Sequence, residues 1–451
     1  MNHFVSQEDI SLYIPRRNIF TVLAHLRSGM RDRRATFDLY VRDMPPHRNY
    51  LMFCGLEEVV DYVRGFRFSD DDFEFLKGIT SLSSEEEAFF RNFRFRGDVA
   101  AMREGTVFFP YEPVIRLTAT VVELQLMEAV LMNVVGFQTM IASKVARVYH
   151  AATPDGFIVG EFRSHGLEAA VKAARSGYIA GMSSVSLLLA EKWLGVPTYG
   201  GTASHFFISS FPSELEAFRS YLSAHPHGSV MVDTYDTEQG VRNAVTVARE
   251  MEARGDRLSG IVLDSGDLAE LSRMARKILD ENGCAHTKII GMSNLDEYRI
   301  RELKRRGARL DFYGMTTEVV TSADAPKLEI VYKLSEIEDE GRWSPRAKFS
   351  TGKETYAGRK QVYRSGAGDV IGLESEDIEG ETLLQPVLRS GELCEALPEL
   401  SEIRKHALDQ YERLPTELFD TLDAEVAYPV RFSDGVARAT EEAKQRGVPV
   451  E

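Results

Sequence analysis

Ser229-Val230-Met231-Val232-Asp233, Gly260-Ile261-Val262-Leu263-Asp264, Thr287-Lys288-Ile289-Ile290-Gly291 and Leu310-Asp311-Phe312-Tyr313-Gly314 decide the fold. Each is a short β-rich run that ends in a polar residue or a glycine. Between them, apolar positions recur at helical spacing over 237–254, 267–282 and 295–306. Strands separated by helices pair in parallel, because a parallel partner needs a long crossover. Repeated in series, such units predict an α/β barrel or a doubly wound sheet. Both architectures collect ligands at the carboxyl ends of their strands.

The flanking sequence has a different rhythm. Ala35–Val41 reads as a strand, Pro45-Pro46 as a turn, and Tyr50–Phe53 as a second apolar run. Residues 104–110 and 113–117 read as strands around turns. From Val121 to Tyr149 the apolar positions fit one long, largely buried helix, with Gly136 as the place for a bend. After about residue 345 the chain breaks into Lys- and Gly-rich loops and short strands. A polar helix follows, with Ser433 as its N-cap. No internal repeat or low-complexity tract interrupts this order.

Composition narrows the class. The chain has 451 residues, 43% hydrophobic and 27% charged, which suits a folded protein of more than one domain. A formal net charge of −15 argues against a general nucleic-acid binder, which needs a basic surface. It leaves room for a phosphorylated small substrate, since a local basic pocket suffices. Cys54, Cys284 and Cys394 form no CxxC pair or zinc spacing and read as core residues in a reducing compartment. Residues 1–8 lack a signal-peptide pattern, and no uncharged apolar stretch of about 18 residues appears. A cytoplasmic protein without a membrane span is expected.

Five segments carry candidate chemistry. Asp233-Thr234-Tyr235-Asp236-Thr237 and Asp264-Ser265-Gly266-Asp267 each place two acids three apart at a strand end. Either pair can cap a following helix, and the acids of the second could instead hold ribose hydroxyls or a Mg2+ bound to pyrophosphate. Gly266 lets the backbone approach a ligand. Gly314-Met315-Thr316-Thr317 has the composition of an anion nest. Lys333, Lys348, Lys353, Arg359, Lys360 and Arg364 form either a solvated basic face or a set of phosphate ligands. His205, after Gly201-Thr202-Ala203-Ser204, is either a buried histidine beside a turn or a nucleophile oriented by Asp233 or Asp264.

Taken in order, these segments resemble the nicotinate phosphoribosyltransferase family along nearly the whole chain. The likeness runs through Ala35–Arg42, Cys54-Gly55-Leu56-Glu57-Glu58, Glu104–Val107, Glu112-Pro113, Gln138-Thr139 and Ala142-Ser143-Lys144. It continues through Gly201–His205, both Asp motifs, Val331-Tyr332-Lys333-Leu334, Gly358–Arg364 and Tyr428-Pro429-Val430. The resemblance implies an irregular α/β barrel of the type II phosphoribosyltransferases plus an α+β domain. The expected division is 1–145 for the α+β domain, 146–345 for the barrel, and 346–451 returning to the first. It implies transfer of phosphoribosyl from phosphoribosyl pyrophosphate to nicotinate, assisted by ATP and Mg2+, in a homodimer with shared sites and no resident metal. His205 would be transiently phosphorylated beside Asp233 and Asp264. The acids Asp264 and Asp267, with Ser265 and Gly266 between them, would serve ribose and metal. Gly314, Thr316 and Thr317 would hold the 5′-phosphate, and Arg163, Thr202, Lys333 and Lys360 other substrate groups.

The departures cluster at the base. Arg17 stands where the family has a stacking tyrosine, and Phe162 replaces one arginine of its Gly-Leu-Arg-Arg segment while Arg163 keeps the other. Val262 replaces an arginine, and Thr316 a glycine of the phosphate loop. Phe162 stacking with Arg17 pairing a carboxylate would preserve nicotinate binding. A different heteroaromatic base, or a weakened homologue with a regulatory role, are the other readings.

Overall fold

Short apolar strands gain stability only when neighbours cover both faces, and the central segments do this in a curled parallel sheet. The computed structural model describes residues 10–198, 201–422 and 424–446; residues 1–8, read above for a targeting signal, lie outside them. It divides into two compact units, 141–326 with 415–424, and 1–140 with 327–414 and 425–451.

In the first of these units, seven parallel strands follow the order Ser184–Val185, Gly156–Val159, Phe312–Met315, Lys288–Gly291, Gly260–Leu263, Ser229–Met231, Thr202–Ala203. Gly156–Val159, the first strand of this unit in chain order, pairs with the last, Phe312–Met315. That contact turns a sheet into a barrel. The ring is open between Ser184–Val185 and Thr202–Ala203, where the helix Leu188–Leu194 intervenes. All four residues of Gly260–Leu263 are buried, as a strand covered on both faces requires. Three successive barrel helices, Thr237–Glu252, Leu268–Glu281 and Glu297–Arg305, start on aspartate N-caps: Asp236, Asp267 and Asp296. Each cap carboxylate accepts from backbone N–H groups that the first turn leaves unpaired.

A buried ion cluster joins a long helix to these elements. Val121–Ala152 is one helix of 32 residues that runs unbroken through Gly136. By length and hydropathy it would suit a membrane span, but 67% of its most apolar window is buried within the fold. It also carries charge inward. Lys144 Nζ lies 2.6 Å from Glu297 Oε2 and 2.9 Å from Asp324 Oδ1. Arg147 Nε donates to Glu297 Oε1 at 2.8 Å, and its Nη2 to the Tyr298 hydroxyl at 2.8 Å. Burial alone would push the Glu297 carboxyl up, yet Lys144 and Arg147 together hold it below its ordinary value.

The other unit rests on a seven-stranded sheet, entirely antiparallel, ordered Arg342–Pro345, Ile330–Asp339, Arg34–Val41, Ile115–Thr120, Asp98–Ala101, Gln385–Arg389, Glu392–Leu393. Ile330–Asp339, which the sequence groups with the barrel, therefore belongs here, as the partner of Arg34–Val41. It forms a hairpin with Arg342–Pro345, which a barrel strand followed by a helix would not. A four-stranded sheet contains Lys360–Ser365 and Gly368–Leu373.

Breaking the Glu297 cluster leaves buried cations short of a partner. Glu297→Gln is expected to lower stability by about 3–5 kcal/mol, read as a lower urea midpoint and melting temperature. A shift below 1 kcal/mol would show the cluster to be energetically idle.

Candidate active site

Thr202–Ala203, Ser229–Met231 and Gly260–Leu263 are consecutive neighbours in the parallel sheet, so their carboxyl ends converge. His205 follows the first, opening the short helix His205–Ser209; Asp233 follows the second and Asp264 the third. The imidazole Nδ1 lies 2.9 Å from Thr234 Oγ1. Its Nε2 faces two carboxylates, 3.8 Å from Asp233 Oδ1 and 3.8 Å from Asp264 Oδ2. The ring is thus held by one nitrogen and presents the other, with 41% of the side chain open to solvent.

The Asp233 side chain is fully buried. Its Oδ2 accepts from the Asp264 N–H at 2.8 Å and the Ser265 hydroxyl at 2.6 Å. Its Oδ1 is buried without a hydrogen-bond partner. Burial and the Asp233 charge push the Asp264 carboxyl up, while His205 and Arg163 pull it back. Two acids and one imidazole crowded this way suit a cation or a reacting group that develops positive charge.

The paired acids of each motif divide their labour. In Asp233-Thr234-Tyr235-Asp236 the second acid caps the helix and the first turns to the site. In Asp264-Ser265-Gly266-Asp267 the same split recurs. Asp267 accepts from Ala269 and Glu270 N–H groups and pairs with Arg306 at 2.5 Å, which holds its carboxyl below the usual range. So the cap and an ion pair already engage the second acid expected at ribose and metal. Gly266 has φ +75°, a left-handed turn that brings Ser265 back toward Asp233.

Phe162 and Arg163 sit in the short turn Glu161–Arg163 after Gly156–Val159. Phe162 is 66% exposed, and one edge rests so near Gly160 that a Cβ there would stand 2.7 Å from the ring. Arg163 Nη1 donates to Thr317 Oγ1 at 3.3 Å, linking this turn to Gly314-Met315-Thr316-Thr317. A Cβ at Gly314 would fall 2.5 Å from the Met292 side chain. Thr202 lies half-buried on the edge strand Thr202–Ala203, beside Ser229–Met231.

The remaining expected ligands lie in the other unit. Arg17 is exposed and pairs with Glu128 at 3.0 Å. Lys333 is half-buried; burial lowers it most, with Arg42, Lys348 and Arg17 adding to that and Glu128 opposing. Lys360 is almost fully buried, 2.8 Å from Asp38 Oδ2, and donates to the Tyr356 and Gly358 carbonyls at 2.6 and 3.1 Å. These three partners occupy its ammonium, so it ties strands together rather than facing a ligand.

The sequence did not point to several contributors. Thr234, inside a quoted motif, orients the histidine. Arg306 engages Asp267. Glu161 is buried and accepts from the Ser186 N–H at 3.0 Å and from its hydroxyl, fixing the turn that carries Phe162. Ser293 and Asn294 take φ +88° and +45° after Lys288–Gly291, backbone strain without a glycine to announce it.

Comparison with known proteins agrees with this layout. Residues 18–136 match the nicotinate phosphoribosyltransferase N-terminal domain and 372–440 its C-terminal domain. Nicotinate phosphoribosyltransferase pncB2 of Mycobacterium tuberculosis is 39% identical over 409 residues, covering 89% of this chain and 87% of that protein. The Bacillus subtilis nicotinate phosphoribosyltransferase is 34% identical, covering 95% and 94%. The crystal structure of human nicotinic acid phosphoribosyltransferase superposes with a TM-score of 0.83 over 94% of this chain and 98% of that one; at 24% identity it speaks for the fold. With strand-end chemistry, barrel and sequence in agreement, this chain belongs to the nicotinate phosphoribosyltransferase family.

Proposed function

We propose that this protein transfers the phosphoribosyl group of phosphoribosyl pyrophosphate to nicotinate, giving nicotinate mononucleotide and pyrophosphate for NAD biosynthesis. We further propose that ATP hydrolysis assists through phosphorylation of His205. The observation that carries the reading is the His205 ring, anchored by Thr234 and facing Asp233 and Asp264.

In the tautomer whose Nδ1 donates to Thr234, Nε2 has a free lone pair. Attack on the terminal phosphorus of ATP forms an N–P bond, and ADP departs with the electrons of the broken P–O bond. Water later takes the phosphoryl group and frees the ring. In the transfer itself, the bond from C1 of ribose to pyrophosphate breaks and a bond to the nicotinate ring nitrogen forms. C1 gains positive character between the two, which the Asp233 and Asp264 carboxylates favour.

The same two carboxylates fit Mg2+. Asp233 Oδ1 is buried and unsatisfied, and Asp264 shares its space. Among the described residues no group of three or more His, Cys, Asp or Glu forms a metal cage. Two carboxylates would leave the rest of the shell to water and phosphate oxygens, as Mg2+ prefers. When bound, it neutralises charge on the departing pyrophosphate. Phe162 supplies a flat face for the base. A homodimer is part of this proposal: Leu167, Leu188 and Trp193 are 91%, 75% and 65% exposed, large apolar groups that gain from cover.

His205→Ala is expected to abolish the acid-labile phosphate that labelled ATP leaves on the wild-type protein, and the ATP stimulation of nicotinate mononucleotide formation. Equal label on both proteins would sink the phosphohistidine step.

Asp264→Asn removes a charge that the folded state disfavours. Its carboxyl is raised, so its cost to stability is present at neutral pH and fades as pH falls and Asp264 takes up its proton. The variant is expected to melt above wild type at pH 7.5, with that gain shrinking toward pH 4, while turnover drops at least tenfold. Melting below wild type at pH 7.5 would contradict this.

Phe162→Ala is expected to raise KM for nicotinate about 5- to 100-fold, since ring stacking contributes about 1–3 kcal/mol. The KM for phosphoribosyl pyrophosphate should hold within twofold; an unchanged nicotinate KM would remove Phe162 from the base site.

A further inference from the structure

Phe66-Arg67-Phe68 and Phe93-Arg94-Phe95-Arg96 alternate aromatic and basic residues. Phe66, Phe68, Phe93 and Phe95 are buried, and the intervening arginines are exposed. Beneath them Phe66 meets Phe68 and Phe93 edge-on, with ring centroids 5.1 and 5.2 Å apart. This packed floor fixes the backbone from which the guanidinium groups rise. With Arg64, from the end of the helix Leu56–Gly65, Arg67, Arg94 and Arg96 line a cleft of about 910 Å3.

The charge there is unbalanced. Four arginines face two carboxylates, Asp61 and Glu392, and Glu392 reaches only Arg64, at 3.8 Å. Among the described residues, no carboxylate pairs with Arg67, Arg94 or Arg96 within 4 Å. Arg67 and Arg94 each donate one N–H to the carbonyl of the preceding phenylalanine, at 2.5 Å. That orients each fork and leaves its other N–H groups for a ligand. Burial and the Arg94 charge both pull Arg67 below its ordinary value, so the like charges strain against each other. A protein with net charge −15 has acids in excess, yet none pairs with these three arginines.

We propose that this cleft binds the polyphosphate chain of a small ligand, its arginines engaging successive phosphate oxygens. Guanidinium forks match phosphate in shape, and several together demand an anion of more than one charge. Free inorganic polyphosphate and a nucleoside triphosphate share that chemistry. None of the residues assigned above to ATP, ribose or base lines the cleft.

The test is calorimetry on the full-length protein with inorganic tripolyphosphate, and separately with ATP, in wild type and in Arg67→Ser/Arg94→Ser. Wild type is expected to show one more tripolyphosphate-binding event than the double variant, or one at least tenfold tighter. The same difference with ATP would mean that the cleft accepts a nucleotide; its absence with ATP alone would restrict the site to free polyphosphate. Identical stoichiometry and affinity in both proteins, for both probes, overturns the proposal. Two controls separate binding from folding. Without ligand, the double variant is expected to melt no lower than wild type, and its turnover at saturating substrates to be unchanged. A lower melting temperature would assign these arginines to the fold and overturn the proposal as well.

Discussion

Asp233 is the constraint around which the barrel end is organised. A buried carboxylate needs its oxygens satisfied, and only Oδ2 is, by the Asp264 backbone and the Ser265 hydroxyl. Those two bonds draw the loop after Gly260–Leu263 over the loop after Ser229–Met231 and set Asp264 beside His205. The unsatisfied Oδ1 is left facing the imidazole. A site assembled purely for stability would have paired or removed that oxygen. Its retention supports the proposed role of this corner in meeting a cation or a reacting centre.

Much of this was legible in the sequence, for definite reasons. The strand-helix rhythm from Ser229 to Gly314 reports the parallel sheet because short β-rich runs bounded by polar or glycine residues alternate with much longer stretches at helical spacing. The acids at the strand ends were equally visible. Less visible was which acid of each pair turns inward, because Asp is both the preferred N-cap and a preferred ligand. The three-residue spacing resolves it only in three dimensions: Asp236 and Asp267 meet free helix N–H groups, leaving Asp233 and Asp264 to the site. Lys360 shows the opposite failure. Its basic neighbours suggest phosphate, but pairing with Asp38 depends on a strand more than three hundred residues away in the chain. Long-range partners of that kind leave no local pattern. Glu161 and its Ser186 partner escaped notice for the same reason.

Charge is handled in two contrasting ways. Lys144, Arg147, Glu297 and Asp324 take both signs inside together, so that each ion meets an opposite. Arg67, Arg94 and Arg96 keep one sign outside and bury only the phenylalanines between them. The first arrangement closes on itself; the second is complementary to something absent from the chain. The difference separates ions that serve the fold from ions that serve a ligand.

The pairing of Gly156–Val159 with Phe312–Met315 has a consequence for how the protein comes into being. The earliest long strand of the barrel unit finds its neighbour only when the last one has left the ribosome. Until then its apolar edge has no covering strand on that side, through the synthesis of five intervening strands and their helices. Contacts between ends so distant in the chain form slowly, because a large loop must close first. The nascent chain therefore carries an open sheet edge for much of its synthesis, the condition under which chaperone binding or mispairing with a neighbouring chain competes with folding.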